Sequence, residues 1–136
     1  MHGHIFWISG EPKEFVEGYY RIGSRANLTV GRSNEQQSME AIQEWLESNG
    51  DRSKPWLLIV DGLGDVNAPI FRFLPKHGGQ IILTGRSEDL VTRFADPSDG
   101  IYVDKMERTE AKWLFAKLAL LPAAENSQEV DYLLEE

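Results

Sequence analysis

The sequence predicts an α/β fold, in which a mostly parallel sheet of about four strands is flanked by helices in three layers. Short apolar runs alternate along the 136 residues with segments whose apolar side chains recur at helical spacing, and this order is typical of parallel sheets. The runs 56–60 and 81–83 are continuously apolar, as expected when helices cover both faces of a strand. A hydrophobic content of 41% suffices for a modest core.

Glycine, proline and helix-capping residues mark the limits of the elements. No internal repeat or low-complexity tract is present, so we expect one domain over 1–122 and an acidic C-terminal helix or tail over 123–136. The predicted elements, in order, are strand 4–9, helix 12–26, helix 33–49, strand 56–61, a helical segment 66–73, strand 80–84, helix 87–94, strand 101–104, helix 109–121 and a final acidic helix 127–134.

Each helix is predicted from a start signal and an apolar stripe. Pro12 opens the first helix, and Ser33 with Gln36 three residues later is a capping-box pattern for the second. Ser87 and Thr109 can cap the later helices, and the final helix has so few apolar residues that we expect it to fray or to need a partner. The expected core residues are Phe15, Val16, Tyr19, Ile22, Met39, Ile42, Trp45, Leu46, Ala111, Leu114, Phe115, Leu118 and Leu121.

Charge and composition exclude several classes of partner. The net charge of −8, from 14 basic and 22 acidic residues, repels phosphate backbones and anionic lipid surfaces, so we expect neither nucleic acid nor membrane as a partner. The longest apolar runs are far shorter than a membrane span. Without cysteine there is no disulfide framework or thiolate chemistry, which fits a reducing compartment. With no secretory signal at the start, we expect a cytoplasmic protein.

Polar residues collect where the predicted strands end, and ligands bind at that edge of open parallel sheets. Either a salt-bridged structural cluster or a ligand site would account for these polar residues. We take Ser9, Glu11, Asp61, Thr84 and Arg86 as candidate ligand-binding residues, and Asp61, Asp65 and Arg86 as candidate catalytic residues. The full set is Ser9, Gly10, Glu11, Asp61, Gly62, Asp65, Thr84, Gly85, Arg86, Asp104 and Lys105.

Two of these residues suit a nucleotide. A carboxylate at the end of an apolar strand, such as Asp61, can order Mg²⁺ and water beside phosphates. An arginine at the next strand end, such as Arg86, can contact a terminal phosphate through its planar fork of donors. We expect no metal site from the histidines, because His2 and His4 lie at the chain start and His77 is distant in sequence.

Over about residues 4–120 the chain resembles the NB-ARC nucleotide-binding domain of STAND-type regulators, particularly the fungal relatives that carry helical repeats. The resemblance implies a degenerate P-loop NTPase-like fold, with Asp61 in the Walker B acid position and Arg86 in the sensor position. The matching pieces, in family order, are Ile5 to Ser9, Phe15, Tyr19 and Ile22, Trp45-Leu46, Trp56 to Asp61, Leu74-Pro75, Gly79 to Arg86, Met106, Glu110-Ala111 and Leu114-Phe115.

Two departures from the family pattern decide the functional prediction. Gly62 stands where the family has a second Asp or Asn, and the Gly-rich Walker A loop with its lysine, which should precede residue 4, is missing. We therefore expect no autonomous ATPase and no cofactor, ATP and Mg²⁺ included. The Walker A strand is central in the family's sheet, so we expect either a four-stranded sheet or a strand-mediated dimer.

We predict a non-catalytic NB-ARC-derived protein that acts through protein contacts, by self-association as a homo-oligomer or by pairing with a full-length relative. The alternative is a repurposed small-molecule enzyme or binder whose pocket lies at the strand carboxyl ends near Asp61 and Arg86. Most aromatic side chains should be core, while Trp7 and Phe71 are expected near exposed edges, where they could form a binding surface or line an apolar pocket.

Overall fold

The computed structural model describes residues 3–50 and 55–118. By its contacts the chain divides into two units, 1–100 and 101–136. Among the described residues, the first unit contains three strands and three α-helices, and the second contains α4. The elements are β1 Ile5–Ser9, α1 Pro12–Arg25, α2 Glu35–Ser48, β2 Trp56–Leu63, a 3-10 helix Pro69–Phe73, β3 Gly79–Gly85, α3 Asp89–Phe94, a 3-10 helix Pro97–Asp99 and α4 Arg108–Leu118.

The sheet is parallel, with strand order β1-β2-β3, which confirms the α/β class and the parallel sheet flanked by helices. Ile5 pairs with Leu57, and Trp56 pairs with Gly79. One sheet face packs against the helices, because β1 and β2 alternate along their length and bury Phe6, Ile8, Leu58 and Val60. The three-layer prediction is not met within the described residues of the first unit, because Ile5, Trp7 and Ile82 are exposed on the other face.

The strand predicted over 101–104 does not form. Residues 101–107 lie in no helix or strand, and Ile101, Tyr102 and Val103 are exposed. A strand needs a neighbour that supplies its ladder hydrogen bonds, and an apolar run does not specify that neighbour. The helix predicted from 109 begins at Arg108, while the domain boundary at 122 and the final helix 127–134 lie outside the described residues.

Small differences at the helix ends have local causes. Asn34 caps α2 by accepting a hydrogen bond from the backbone N–H of Gln37 at 3.2 Å, so that helix begins one residue later than the Ser33 pattern predicts. Both residue types cap helices well, and the pattern alone does not choose between them.

Phe71 is buried, which corrects its expected exposure, whereas the exposure of Trp7 is confirmed.

Most of the predicted stripe on α1 and α2 forms the centre of the core. Phe15, Tyr19, Ile22, Met39, Ile42 and Leu46 are buried, and Val16 and Trp45 pack partly against them. The hydroxyl of Tyr19 donates a hydrogen bond to the carbonyl oxygen of Phe73 at 2.6 Å, which links α1 to the segment before β3. Burial raises the pKa of Tyr19, so this hydroxyl stays protonated and acts as a donor.

Replacing Tyr19 with Phe should lower the free energy of unfolding by about 1–3 kcal/mol, because the buried carbonyl of Phe73 loses its donor. Tyr20→Phe is the matched control, since Tyr20 is also buried and its hydroxyl has no hydrogen-bond partner among the described residues. Urea unfolding followed by circular dichroism measures both. Equal stabilities of the two variants would contradict the assigned role of the Tyr19 bond.

Candidate functional site

The open sheet face is arranged in rows across the three strands. Successive side chains of a strand point to opposite faces, so the register places alternate residues of β1, β2 and β3 side by side. From the amino to the carboxyl ends of the strands, the first two rows are Ile5, Leu57 and Gln80, then Trp7, Ile59 and Ile82. In the third row Ser9 pairs with Asp61 by register, and Thr84 joins them through a hydrogen bond to Asp61. The first two rows are called the open patch below, and the third is the polar row.

The polar row is held by a short chain of hydrogen bonds. The Thr84 hydroxyl donates to Asp61 Oδ1 at 2.5 Å and accepts from the backbone N–H of Gly62 at 2.9 Å. The regular β2–β3 register is interrupted between Val60 and Leu63, so this bridge joins the two strands where their backbone pairing becomes irregular. The Thr84 hydroxyl, as both donor and acceptor, thus fixes the carboxyl ends of β2 and β3.

Gly62 has a backbone reason to be glycine. Its φ of +75° lies in the left-handed region, which glycine adopts without steric cost. Residues other than glycine, asparagine and aspartate rarely adopt this backbone conformation. The conformation therefore gives a local structural reason for a glycine at this position.

Ser9 and Glu11 shape the turn into α1. The Ser9 hydroxyl oxygen accepts from the backbone N–H of Glu11 at 3.2 Å, and the Gly10 N–H donates to the Asp61 carbonyl at 2.7 Å. A Cβ on Gly10 would lie 2.8 Å from the Leu63 nitrogen, so the turn passes too close to β2 for a side chain. The Glu11 carboxylate lies near Gly64, where an added Cβ would be 3.4 Å from Oε1.

Asp65 serves its own loop. Its Oδ1 accepts from the backbone N–H of Asn67 at 2.8 Å, which is an Asx turn. Asn67 Oδ1 in turn accepts from the Arg93 guanidinium at 2.7 Å, a contact that the sequence does not predict, because nothing in its pattern links α3 to this loop. Asp65 is thus satisfied by local backbone.

The structure brings Ser9, Asp61 and Thr84 together at one edge but does not pair Asp61 with Arg86. Arg86 is exposed, and within 3–50 and 55–118 no ion pair or hydrogen bond is recorded for its guanidinium. Asp104 and Lys105 belong to the second unit, where the Asp104 carboxylate accepts from the Lys105 amide at 2.6 Å. The edge therefore shows no closed charge cluster among the described residues.

Two carboxylates that are not among the candidate site residues, Glu17 and Asp96, have lowered pKa values. A bidentate hydrogen bond from Arg32 lowers the pKa of Glu17. Backbone and hydroxyl donors of Ser98 lower the pKa of Asp96. In the described part of the chain no group of three or more His, Asp or Glu side chains could hold a metal ion.

A groove of about 470 Å³ occurs in the second unit, on α4. Its lining residues are Met106, Thr109, Glu110, Trp113 and Leu114. The Trp113 indole is exposed, and the Lys117 ammonium lies 4.7 Å from the centre of its ring. None of the groove residues is among the candidate site residues at the carboxyl ends of the strands.

The open patch is the feature that sequence reasoning missed. Apart from the exposure expected for Trp7, continuous apolar runs predicted strands buried on both faces. Yet Ile5 is 60%, Trp7 66% and Ile82 49% exposed.

None of the helices in the described part of the chain has the length and apolar character that a membrane span requires.

Comparison with known proteins adds no identification. The scan against protein-family models gives no match for this chain, and the search of curated proteins gives none either. Function must therefore be argued from the edge, the open patch and the groove themselves.

Proposed function

We propose that this chain is a non-catalytic NB-ARC-derived protein that acts through protein contacts, by self-association or by pairing with full-length relatives. The single observation that carries the proposal is the open patch, in which Ile5 and Trp7 of β1 and Ile82 of β3 are exposed on the same face of a parallel sheet. Contiguous exposed apolar side chains mark interaction surfaces, and parallel sheets are normally covered on both faces. A partner that covers this face would stabilise it.

The polar row supports catalysis less than the open patch supports protein contacts. Thr84 uses its hydroxyl to fix Asp61 and Gly62, and Arg86 has no recorded partner among the described residues. The 136 residues contain no Gly-x-x-x-x-Gly-Lys followed by Ser or Thr, the loop that cradles phosphates. We further propose that the chain has a degenerate P-loop NTPase-like fold that serves as a scaffold. We also propose a cytoplasmic location, which the lack of cysteine favours.

The alternative is a small-molecule enzyme or binder that uses Asp61 and Arg86. Asp61 is exposed and accepts one bond from Thr84, so an incoming ligand could still reach the carboxylate. The groove on α4 is lined by other residues and does not support a pocket at this edge. We therefore rank the alternative second.

A matched capture experiment tests the first proposal. The purified protein, immobilised on a column, is challenged with an extract of its source cells, and the proteins retained are quantified for the wild type and three variants. We expect Trp7→Lys to lose the retained partner, because Trp7 is the most exposed of the three exposed apolar side chains of the open patch. Asp61→Ala and Arg86→Ala should keep it. Retention of the partner by Trp7→Lys would contradict a role of the open patch in binding it.

Calorimetric titration with ATP and Mg²⁺ tests the lack of nucleotide chemistry separately. We expect no binding up to millimolar nucleotide, because the backbone amides and lysine that supply most phosphate contacts are not among these residues. Binding with micromolar affinity that Asp61→Ala weakens would refute the non-catalytic proposal.

A further inference from the structure

We propose that Asn49 is a site of one-way chemical modification, at which the folded end of α2 restrains deamidation and deamidation then weakens that end. Asn49 is the only asparagine of the 136 residues that precedes a glycine. Glycine has no side chain, so it leaves the backbone nitrogen that follows Asn49 sterically open to react. Asn49 lies outside the open patch and the polar row, and this site is therefore independent of the proposed function.

The reaction needs no partner other than water. The backbone nitrogen of Gly50 attacks Cγ of Asn49, a C–N bond forms, and the side-chain nitrogen leaves as ammonia with the proton of the Gly50 N–H. Water then opens the imide ring at either carbonyl carbon. The products are aspartate and isoaspartate, and both carry a negative charge where the amide was neutral.

The folded structure holds the two reacting atoms apart. Asn49 is the C-cap of α2 with a ψ of 14°, which turns the Gly50 nitrogen toward the Asn49 nitrogen and away from Cβ. The side-chain amide is turned back along the helix, where Nδ2 donates to the Trp45 carbonyl at 2.9 Å. Ring closure therefore requires rotation about the Cα–C bond of Asn49 and loss of this side-chain hydrogen bond.

Packing at the end of α2 opposes that rotation, because the rotation displaces Gly50. Gly50 lies directly against Gly78, since an added Cβ on Gly50 would overlap the Gly78 carbonyl oxygen. The segment 76–78 is itself held to α2, where the Lys76 N–H donates to Glu47 Oε1 at 2.9 Å. Deamidation of the folded protein thus proceeds through local opening of this end, and its rate reports how often the end opens.

The product weakens the end that restrained it. A carboxylate at position 49 has no N–H to donate to the Trp45 carbonyl, and it places a negative charge at the negative end of the helix dipole. The last turn of α2 contains no basic residue that would offset this charge. Each modified molecule therefore opens more readily than an unmodified one, and the change persists because the ammonia has left.

Peptide mapping by mass spectrometry, after incubation of the full chain at mildly alkaline pH in buffer and in urea, tests the proposal. In urea that unfolds the protein, we expect Asn49 to be modified before any other asparagine. In buffer we expect modification of Asn49 to be at least about tenfold slower, because a packed helix end opens only rarely. Equal rates in the two solutions, or earlier modification of another asparagine in urea, would overturn the proposal.

Two matched variants test the restraint by the packed end. Glu47→Ala removes the acceptor of the Lys76 N–H and should speed deamidation of the folded protein by about threefold to tenfold, the factor that corresponds to one lost hydrogen bond. Glu44→Ala is the control, since it removes a carboxylate from an exposed position of the same helix, and it should leave the rate unchanged. Equal rates for the two variants would contradict the restraint.

Asn49→Asp reproduces one product directly and tests its effect on stability. We expect its thermal midpoint to fall by about 2–8 °C, because the side-chain bond is lost and the new charge is unfavourable. Asn34→Asp is the control, since it makes the same change at the N-cap of α2, where a negative charge is favourable. A midpoint for Asn49→Asp that is no lower than that of Asn34→Asp would overturn the inferred weakening.

Discussion

Replacing Phe15 with Ala should lower the free energy of unfolding by about 3–5 kcal/mol, the range measured for truncating a buried phenylalanine. Phe15 is fully buried in the first turn of α1, where its ring stacks on Tyr19 with centroids 4.7 Å apart. Its other contact is an edge-to-face one with Phe71 at 5.8 Å. The substitution removes both contacts and leaves a cavity beneath the sheet, and small domains are stable by only about 5–15 kcal/mol in total.

Denaturant unfolding followed by circular dichroism measures this loss. Arg21→Ala is the control, since it also introduces alanine into α1 but at an exposed position, and we expect it to change stability by less than about 0.5 kcal/mol. If Phe15→Ala does not fold, Phe15→Leu fills more of the cavity and should show a smaller loss in the same direction. A loss below about 1 kcal/mol for Phe15→Ala would mean that α1 does not pack as described.

Replacing Gly79 with Ala should cost about 2–4 kcal/mol, the sum of overpacking and one lost buried hydrogen bond. Gly79 pairs with Trp56 across β2 and β3, and a Cβ on Gly79 would overlap the indole ring. The ring cannot simply move aside, because it is buried and its Nε1 donates to the Leu46 carbonyl at 2.7 Å. Displacing it breaks the bond that ties the end of α2 to β2.

Gly31→Ala is the matched control, because an added Cβ there meets only the Ser33 hydroxyl at an ordinary 3.5 Å. The same unfolding measurement applies, and we expect this control to be close to the wild type in stability. The double variant Gly79→Ala with Trp56→Phe should lose less than the sum of its two single losses, since the smaller ring relieves the overlap. Additive losses would contradict a direct clash between position 79 and the ring.

Much of the fold could be predicted because local signals agree with long-range packing. The period of Phe15, Tyr19 and Ile22 defines one face of α1, and that face is the one the sheet covers. The carboxyl ends of parallel strands meet at one edge, so Ser9, Asp61 and Thr84 could be grouped from their positions alone. Their hydrogen bonds could not, because the bridge by Thr84 depends on where β2 departs from the regular register.

The sequence by itself determined the positions of the three strands and of helices α1 to α4, because spacing, caps and breakers are local properties of the chain. Only the tertiary structure decided that 101–104 lacks a pairing strand and that one face of the sheet stays open. The physical reason is that strand pairing and burial depend on neighbours distant along the chain. An apolar run such as Trp56 to Val60 predicts which side chains should be buried, but only the tertiary packing determines which element covers them.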